Sequence, residues 1–303
     1  MKKNKLFIGT RASKLAMNYA NRAKDEIGKV FSGEIELVKI TTEGDQNQND
    51  RLSEIGGKGL FSKRIEEELL NKNIDIAVDA LKDMPSEETL GLITNCFLKR
   101  NPPEEILITR DKKKFTELNS NSIIGTSSFR REFQLKRIRG DLNYKPIRGN
   151  VDTRISKLND KKYDGIILSK AGIISLNLNH LISQEFSTEE IIPSAGQGII
   201  SIQCREEDEE IINLLSKVND DLSSVSALSE RKVLNILEGD CHTAVGVFAK
   251  VTNNDFEITG ELFSIDGKKR YFRKIKDKTS NYLNASIELG NFLKSESKET
   301  YKK

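Results

Sequence analysis

The sequence predicts an α/β protein of two lobes joined by a hinge, followed by a small α+β C-terminal domain. Short apolar runs alternate with amphipathic runs through the first two thirds of the chain. The alternation restarts after Asn101-Pro102-Pro103, where two prolines interrupt it. From about residue 220 the pattern changes to a helix followed by alternating strands. Strands that alternate with amphipathic helices are typical of layered α/β domains with a largely parallel sheet.

The first lobe is expected at residues 1–99, completed by residues 199–216. Its strands are short apolar runs, and its helices show apolar residues three or four positions apart. The predicted elements are strand Leu6–Gly9, a helix with apolar residues from Ala16 to Val30, strand Ile35–Ile40, helix Leu60–Asn71 and strand Ile74–Val78.

The second lobe is expected at residues 104–192. Its predicted strands are Ile106–Thr109, Ile123–Gly125, Tyr144–Ile147 and Gly165–Leu168, and its predicted helices are Phe129–Ile138 and Val151–Leu158. A second break follows at Pro193–Gly198. Ile200, Ile202 and Cys204 then alternate as a strand that could return to the first lobe. Two breaks with two crossings indicate a cleft between the lobes.

The third domain is expected at residues 220–303. Its predicted elements are helix Val225–Leu237, strands Ala244–Val251, Phe256–Leu262 and Arg270–Ile275, and helix Tyr282–Leu293. The charged tail Ser295–Lys303 is expected to fray.

The composition excludes several classes of protein. The 49 Lys+Arg and 46 Asp+Glu give a net charge of +3, so no basic excess points to nucleic acid. Three cysteines and two histidines are too few and too scattered for a disulfide framework or a metal site. The apolar run after the basic N-terminus is too short for a signal peptide, and no stretch approaches the ~20 apolar residues of a membrane span. We therefore expect a cytoplasmic protein.

Three arginine-bearing segments each lie between a predicted strand and a predicted helix: Thr10–Ser13, Gly125–Arg131 and Arg148–Arg154. Such segments offer helix N-terminal N–H groups, small polar side chains and guanidinium groups at the strand ends where α/β sheets bind ligands. One segment alone is equally an ordinary helix N-cap. Three together indicate a cleft for a ligand with several carboxylates or phosphates.

Three further features are candidates for chemistry. Lys58 lies in Gly56–Gly59, which lacks the spacing of a Walker A loop and fits a flexible loop with one cation. Lys82 and Asp83 follow a predicted strand, where a carboxylate beside a lysine can move protons or stabilise a cation, although such pairs are common in solvated turns. Cys241 has no base arranged beside it, so a functional role there favours covalent attachment over hydrolysis.

Seven ordered motifs together resemble the porphobilinogen deaminase family, also called hydroxymethylbilane synthase. They are Gly9–Ser13, Gly56–Phe61, Leu81–Pro85, Gly125–Arg131, Arg148–Arg154, Gly196–Gly198 and Leu237–Cys241. The resemblance implies two lobes like those of periplasmic binding proteins and a third domain that carries the cofactor. It implies a transferase of haem biosynthesis that joins four porphobilinogen molecules into the linear tetrapyrrole hydroxymethylbilane, with release of ammonia. The implied cofactor is a dipyrromethane on Cys241, and a cytoplasmic monomer is expected.

The resemblance also implies roles for individual residues. Asp83, with Lys82, matches the catalytic carboxylate that assists loss of ammonia and stabilises the azafulvene cation. The implied cofactor-binding residues are Cys241, Ser13, Lys82, Thr126, Ser127, Ser128, Arg130, Arg131, Arg148 and Gly149. The implied substrate-binding residues are Arg11, Arg148, Arg154 and Gln197, with Lys58 in a loop. Because porphobilinogen carries acetate and propionate groups, an arginine-rich cleft fits it.

Five residues depart from the family pattern, at positions where histidine, serine, lysine, arginine and glycine are common: Asp79, Ala80, Glu54, Ser175 and Asp240. Several of these changes lower the positive charge expected near the site. A catalytically weakened paralogue and a non-catalytic carboxylate-binding protein on the same scaffold therefore stay open as alternatives. A phosphate or nucleic-acid binder is disfavoured, since no base-stacking module is recognisable.

Overall fold

The computed structural model describes residues 3–41, 62–238 and 243–302. The strands in these ranges are β1 (Lys5–Arg11), β2 (Glu34–Ile40), β3 (Ile76–Ala80), β4 (Leu92–Phe97), β5 (Glu105–Thr109), β6 (Ile123–Gly125), β7 (Asn143–Lys145), β8 (Gly165–Ser169), β9 (Gln184–Phe186), β10 (Ile200–Arg205), β11 (Val245–Val251), β12 (Asp255–Phe263) and β13 (Arg270–Lys278). The helices are α1 (Lys14–Gly28), α2 (Lys63–Leu70), α3 (Phe129–Ile138), α4 (Val151–Asn159), α5 (Lys170–Ser175), α6 (Glu209–Leu215), α7 (Asp221–Leu237) and α8 (Tyr282–Ser297).

The first lobe is built on a five-stranded sheet in the order β2-β1-β3-β10-β4. Helix α1 covers one face, where Ala20 and Ala23 are buried beside Ile8 of β1. Helix α2 covers the other face, where Ile65 and Leu69 are fully or almost fully buried. Both helices bury one apolar stripe, as their spacing predicts.

The second lobe has its own five-stranded sheet in the order β7-β6-β8-β5-β9. In each lobe four of the five strands run in the same direction, as expected for a largely parallel sheet, and one strand is reversed. Strand β5 runs antiparallel to β8 and β9, and β10 runs antiparallel to β3 and β4. The reason is that each of these strands enters its sheet directly from a crossing between the lobes, without the helical crossover that parallel neighbours need.

The C-terminal domain is a three-stranded antiparallel sheet, β11-β12-β13, with α7 and α8 on one face. The tail is ordered rather than frayed, contrary to expectation. Tyr301 is 2% exposed and its hydroxyl donates to the carbonyl of Leu237 at 2.9 Å. Lys302 pairs with Glu238 at 2.9 Å. The tail therefore closes over the end of α7. The predicted fold class, two α/β lobes with an α+β C-terminal domain, is confirmed.

The two chain crossings between the lobes lie side by side. The amide N–H of Asn101 donates to the carbonyl of Gly198 at 2.8 Å, and the Asn101 side chain donates to the same oxygen at 3.1 Å. Gly198 has a φ of +84°, and a Cβ there would lie 2.4 Å from the Asn101 carbonyl oxygen. This close approach requires glycine.

Candidate active site

Strand ends of the first lobe supply Arg11, Ser13, Lys82 and Asp83. Arg11 ends β1, and the Ser13 hydroxyl caps α1 by accepting from the amide of Ala16 at 3.3 Å. Lys82 and Asp83 lie on a single 3₁₀ turn, Leu81–Asp83, that follows β3 directly. The turn leaves the Asp83 side chain exposed at the edge of the sheet.

Lys82 is brought to the hinge. Its ammonium donates to Oε1 of Gln197 at 3.3 Å, and Nε2 of Gln197 donates to the Pro103 carbonyl at 2.6 Å. Gln197 is fully buried. Gly196 has a φ of +74°, and a Cβ on it would lie 3.0 Å from the backbone nitrogen of Lys82. Two predicted site residues from distant parts of the chain, Lys82 and Gln197, are thus in contact.

The hydroxyls of Thr126, Ser127 and Ser128 are engaged in holding the turn between β6 and α3. Ser127 Oγ donates to the Ile147 carbonyl at 2.7 Å and accepts from the Ile147 amide at 3.0 Å. Ser128 caps α3, accepting from the amide of Arg131 at 3.4 Å, and its own amide donates to Thr126 Oγ1 at 3.2 Å. These bonds tie the Gly125–Arg131 segment to the segment that begins at Arg148.

Arg130 and Arg131, at the start of α3, are both held by Glu105. Arg130 pairs with Oε1 of Glu105 at 2.5 Å and Arg131 with Oε2 at 2.7 Å. Arg130 also donates to the Ile192 carbonyl at 2.8 Å. Burial alone would raise the pKa of Glu105, but the charges of Arg131 and Arg130 outweigh it and lower that pKa to about 2. The carboxylate is therefore ionised.

Sequence reasoning missed Glu105. It begins β5 beside the apolar run Ile106–Thr109 and is fully buried. A charge at a strand end ordinarily points to solvent. Every residue of β5 is buried, so a glutamate in this strand needs a cationic partner. The position of Glu105 at the start of an apolar strand was therefore the feature that could have identified it.

Arg148, Gly149 and Arg154 lie together at the start of α4. Arg154 Nε donates to the Gly149 carbonyl at 2.8 Å. Gly149 has a φ of +106°, and a Cβ there would lie 2.7 Å from Thr153. Burial, followed by the charges of Arg131 and Arg148, lowers the pKa of Arg154 to about 10. The three guanidinium groups therefore share one electrostatic environment.

Cations of both lobes lie close enough to interact electrostatically. Burial lowers the pKa of Lys82; Asp83 and Glu105 act against this lowering, and Arg131 and Arg130 of the other lobe add to it. The interacting cations are Lys82, Arg130, Arg131, Arg148 and Arg154, and the carboxylates named among their partners are Asp83 and Glu105. Within the described part of the chain, Nε of Arg131 is buried without a hydrogen-bond partner.

Arg130 and Arg131 are buried, whereas Lys82, Arg148 and Arg154 are half-buried. This excess of cations over carboxylates fits a ligand with several carboxylates, which guanidinium groups bind by charge-assisted hydrogen bonds. A dipyrromethane with acetate and propionate groups meets that requirement. The residues described could hold such a group through guanidinium and ammonium donors. In the ranges 3–41, 62–238 and 243–302, no cluster of His, Cys, Asp and Glu is arranged to hold a metal ion.

Other predicted residues lie apart from this cluster or outside the described residues. Ser175 ends α5, where its carbonyl accepts from the Asn18 side chain at 2.5 Å across the lobes. Asp79 accepts from the amide of Ala80 at 2.8 Å. Cys241, Lys58, Glu54 and Asp240 lie outside the described residues. Tyr19 of α1 lies near Asp83, and burial followed by the charge of Asp83 raises the pKa of Tyr19 to about 12.

Two family models match the chain in succession. The model described as porphobilinogen deaminase, dipyromethane cofactor binding domain, matches residues 6–213. The model described as porphobilinogen deaminase, C-terminal domain, matches residues 225–298.

Curated relatives match over most of their length. A porphobilinogen deaminase of Wolbachia is 41% identical over 287 residues, 93% of this chain and 97% of the relative. One from Natranaerobius thermophilus is 40% identical over 294 residues, 96% and 94% of the two chains. Among solved structures, the BvgS VFT2 domain of Bordetella pertussis has a TM-score of 0.45 at 10% identity, covering 75% of this chain and 92% of that domain. By the family models and the curated relatives, the chain belongs to the porphobilinogen deaminase family.

Proposed function

We propose that this protein is a transferase of tetrapyrrole biosynthesis that condenses four porphobilinogen molecules into hydroxymethylbilane and releases ammonia. The observation that carries the proposal is the match of both family models, which together span residues 6–213 and 225–298. The cation-rich cleft supports it, since each pyrrole added to the growing chain brings two carboxylates.

The cofactor, a dipyrromethane attached to Cys241 in this proposal, supplies when bound the pyrrole to which the first substrate is joined. Around it, the guanidinium groups of Arg131, Arg148 and Arg154 bind carboxylates through charge-assisted hydrogen bonds. Gln197 fixes the Lys82 ammonium at 3.3 Å, which limits its freedom. A cation held in place at a buried site stabilises an anion without reorganisation.

Asp83 acts on the substrate. As the bond between the aminomethyl carbon and the protonated amine nitrogen breaks, ammonia leaves and the positive charge passes to the substrate pyrrole. The exposed carboxylate of Asp83, at the edge of the sheet, stabilises this charge by accepting from the pyrrole N–H. A new carbon–carbon bond then forms, and the proton it displaces from the attacked pyrrole leaves the site.

The proposed domain limits are 1–99 with 199–216, 104–192, and 220–303. We further propose that the protein works as a monomer in the cytoplasm. In the described residues no helix is both long and apolar enough to cross a membrane. Cys96 and Cys204 are buried free thiols.

The test is incubation of the purified chain with porphobilinogen, with separate measurement of ammonia and of hydroxymethylbilane. We expect four ammonia molecules for each tetrapyrrole formed. Binding of porphobilinogen without ammonia release would instead identify a carboxylate-binding protein and contradict the proposal.

A further inference from the structure

Glu105 holds the two arginines at the start of α3 as a ligand carboxylate would. Its two oxygens pair separately with Arg130 and Arg131, at 2.5 and 2.7 Å. The carboxylate is fully buried, and the side chains of the two arginines are 5% and 10% exposed. A carboxylate shared by two guanidinium groups in a buried site is a strong charge-assisted contact.

The arginine nitrogens that pair with Glu105 are not available to a ligand. Nη2 of each arginine is paired with Glu105. Nη1 of Arg130 donates to the Ile192 carbonyl, and Nη1 of Arg131 donates to the Ile167 carbonyl. Among the buried side-chain atoms of the described residues, Nε of Arg131 and Oε2 of Glu105 have no hydrogen-bond partner, so the contact between these two residues is an ion pair. The negative charge of Glu105 also raises the pKa of Lys82, whereas the positive charges of Arg131 and Arg130 lower it. The cluster consequently presents fewer donors and one positive charge less than its arginines alone would supply.

We propose that Glu105 is an affinity-determining residue, a built-in carboxylate that occupies part of the arginine cluster and weakens the binding of polycarboxylate ligands in the cleft. This rests on the proposed function, in which the growing chain gains two carboxylates with every unit. A cleft without this internal carboxylate would hold its finished product more tightly. Glu105 thus favours product release over binding strength.

The experiment compares citrate binding to the wild-type holoenzyme and to Glu105→Gln by isothermal titration calorimetry at pH 7.5 and low salt. Citrate is a probe with three carboxylates that undergoes no reaction here. We expect at least about tenfold tighter binding by Glu105→Gln, the gain from one charge-assisted contact that Glu105 releases to the ligand. Weaker or unchanged binding by a folded Glu105→Gln overturns the proposal.

Glu104→Gln is the matched control, because it removes the same charge one residue away. Glu104 lies 3.9 Å from Lys170 and contacts neither arginine of the cluster. We expect its citrate affinity to stay within twofold of wild type. An equal gain in Glu104→Gln would show a general charge effect and overturn the proposal.

Glu105→Asp keeps the charge but is too short to bridge both arginines, so it should bind citrate more tightly than wild type and less tightly than Glu105→Gln. It replaces Glu105→Gln if that variant does not fold. If neither variant folds, Glu105 is a structural anchor and the proposal is wrong. Because citrate binding needs no turnover, an inactive chain that shows the expected shift contradicts only the proposed function. An active chain that shows no shift contradicts only the role of Glu105.

Discussion

Arg100 and Glu230 form a buried bidentate ion pair that joins the hinge to the C-terminal domain, with N–O distances of 2.6 and 3.2 Å. The Glu230 carboxylate also accepts from the amides of Gly196 at 2.6 Å and Ala249 at 2.8 Å. Arg100 Nε donates to the carbonyl of Gln197 at 3.0 Å. Because Glu230 lies on α7, this helix fixes the position of Gln197, which contacts Lys82.

Removing one partner of this pair should destabilise the protein strongly. Glu230→Gln leaves the Arg100 charge buried without its carboxylate, a change that costs about 3–5 kcal/mol. Denaturant unfolding followed by circular dichroism measures the loss. Glu288→Gln is the control, since Glu288 pairs with Arg273 at the exposed surface and should cost no more than about 1 kcal/mol. Equal losses in the two variants would contradict the role assigned to the hinge pair.

Asp83→Asn should lower turnover at least ~10²-fold, the low end for a positioned acid–base or electrostatic group. The amide keeps the size of the side chain but loses the charge that stabilises the substrate cation. Single-turnover kinetics with porphobilinogen measure the effect, and a thermal melt should be nearly unchanged because Asp83 is exposed. Glu87→Gln, an exposed carboxylate on the same loop, is the control. Near-normal turnover in Asp83→Asn would show that another group carries the step.

Asp79 complicates that result, since it is a second carboxylate four residues away. If it partly replaces Asp83, the double variant Asp79→Asn, Asp83→Asn should lose more turnover than Asp83→Asn alone. Equal turnover in the single and double variants would exclude such replacement.

Arg154→Leu should weaken substrate binding more than it slows the chemical step. Loss of one charge-assisted contact costs about 1.5–3 kcal/mol, which corresponds to an increase of roughly 10- to 150-fold in KM. Steady-state kinetics separate KM from kcat. Lys162→Met, which removes an exposed cation near the end of the same helix, should leave both constants unchanged. A KM unaffected by Arg154→Leu would place this arginine outside the binding site.

The intact mass of the purified protein should exceed the sequence mass by one dipyrromethane, and Cys241→Ser should abolish the excess. A thiol is the nucleophile suited to such attachment. Mass spectrometry of the whole protein and of its peptides measures the adduct and locates it. Cys96 and Cys204 serve as internal controls because both are buried. An adduct on either of them would refute the assignment.

Acid should destabilise the protein in a window set by Glu105. In the folded state burial raises the pKa of Glu105, but the charges of Arg131 and Arg130 outweigh burial and lower it from 4.5 to about 2. The stabilisation is present above pH 4.5 and is lost as the pH falls through about 2, because the unfolded chain takes up the proton more readily. Unfolding free energies measured from pH 5 to pH 2 should fall less steeply for Glu105→Gln. Parallel profiles for the two proteins would contradict this.

The sequence predicted local elements well where one pattern dominates. Helix Phe129–Ile138 is observed with the predicted bounds, since Ser128 caps it and a clear polar boundary ends it. Strands β4 and β9 and helices α5 and α6 were not predicted. The two helices, with six and seven residues, are too short to show a helical period. Helix α5 has six residues, and its alanine, glycine and isoleucines also suit a loop or strand. Such segments acquire their structure from packing rather than from periodicity.

The sequence predicted which cations form the site, but it could not predict how they are arranged. Spacing along the chain places Lys82 and Arg130 at strand ends but says nothing about which carboxylate pairs with them. Glu105 reaches the arginines because β5 lies inside its sheet, between β8 and β9. Contacts of this kind depend on strand order, which local patterns do not contain.

Strand β10 lies between β3 and β4 in the first sheet, and β4 pairs with no other strand in the described residues. A ribosome therefore releases the whole second lobe before the first can complete its hydrogen bonding. Until then the nascent chain carries an unpaired edge on β3 and an isolated β4, both prone to pair with other chains. Chaperone demand during synthesis should consequently peak before residue 205 emerges and fall sharply afterwards.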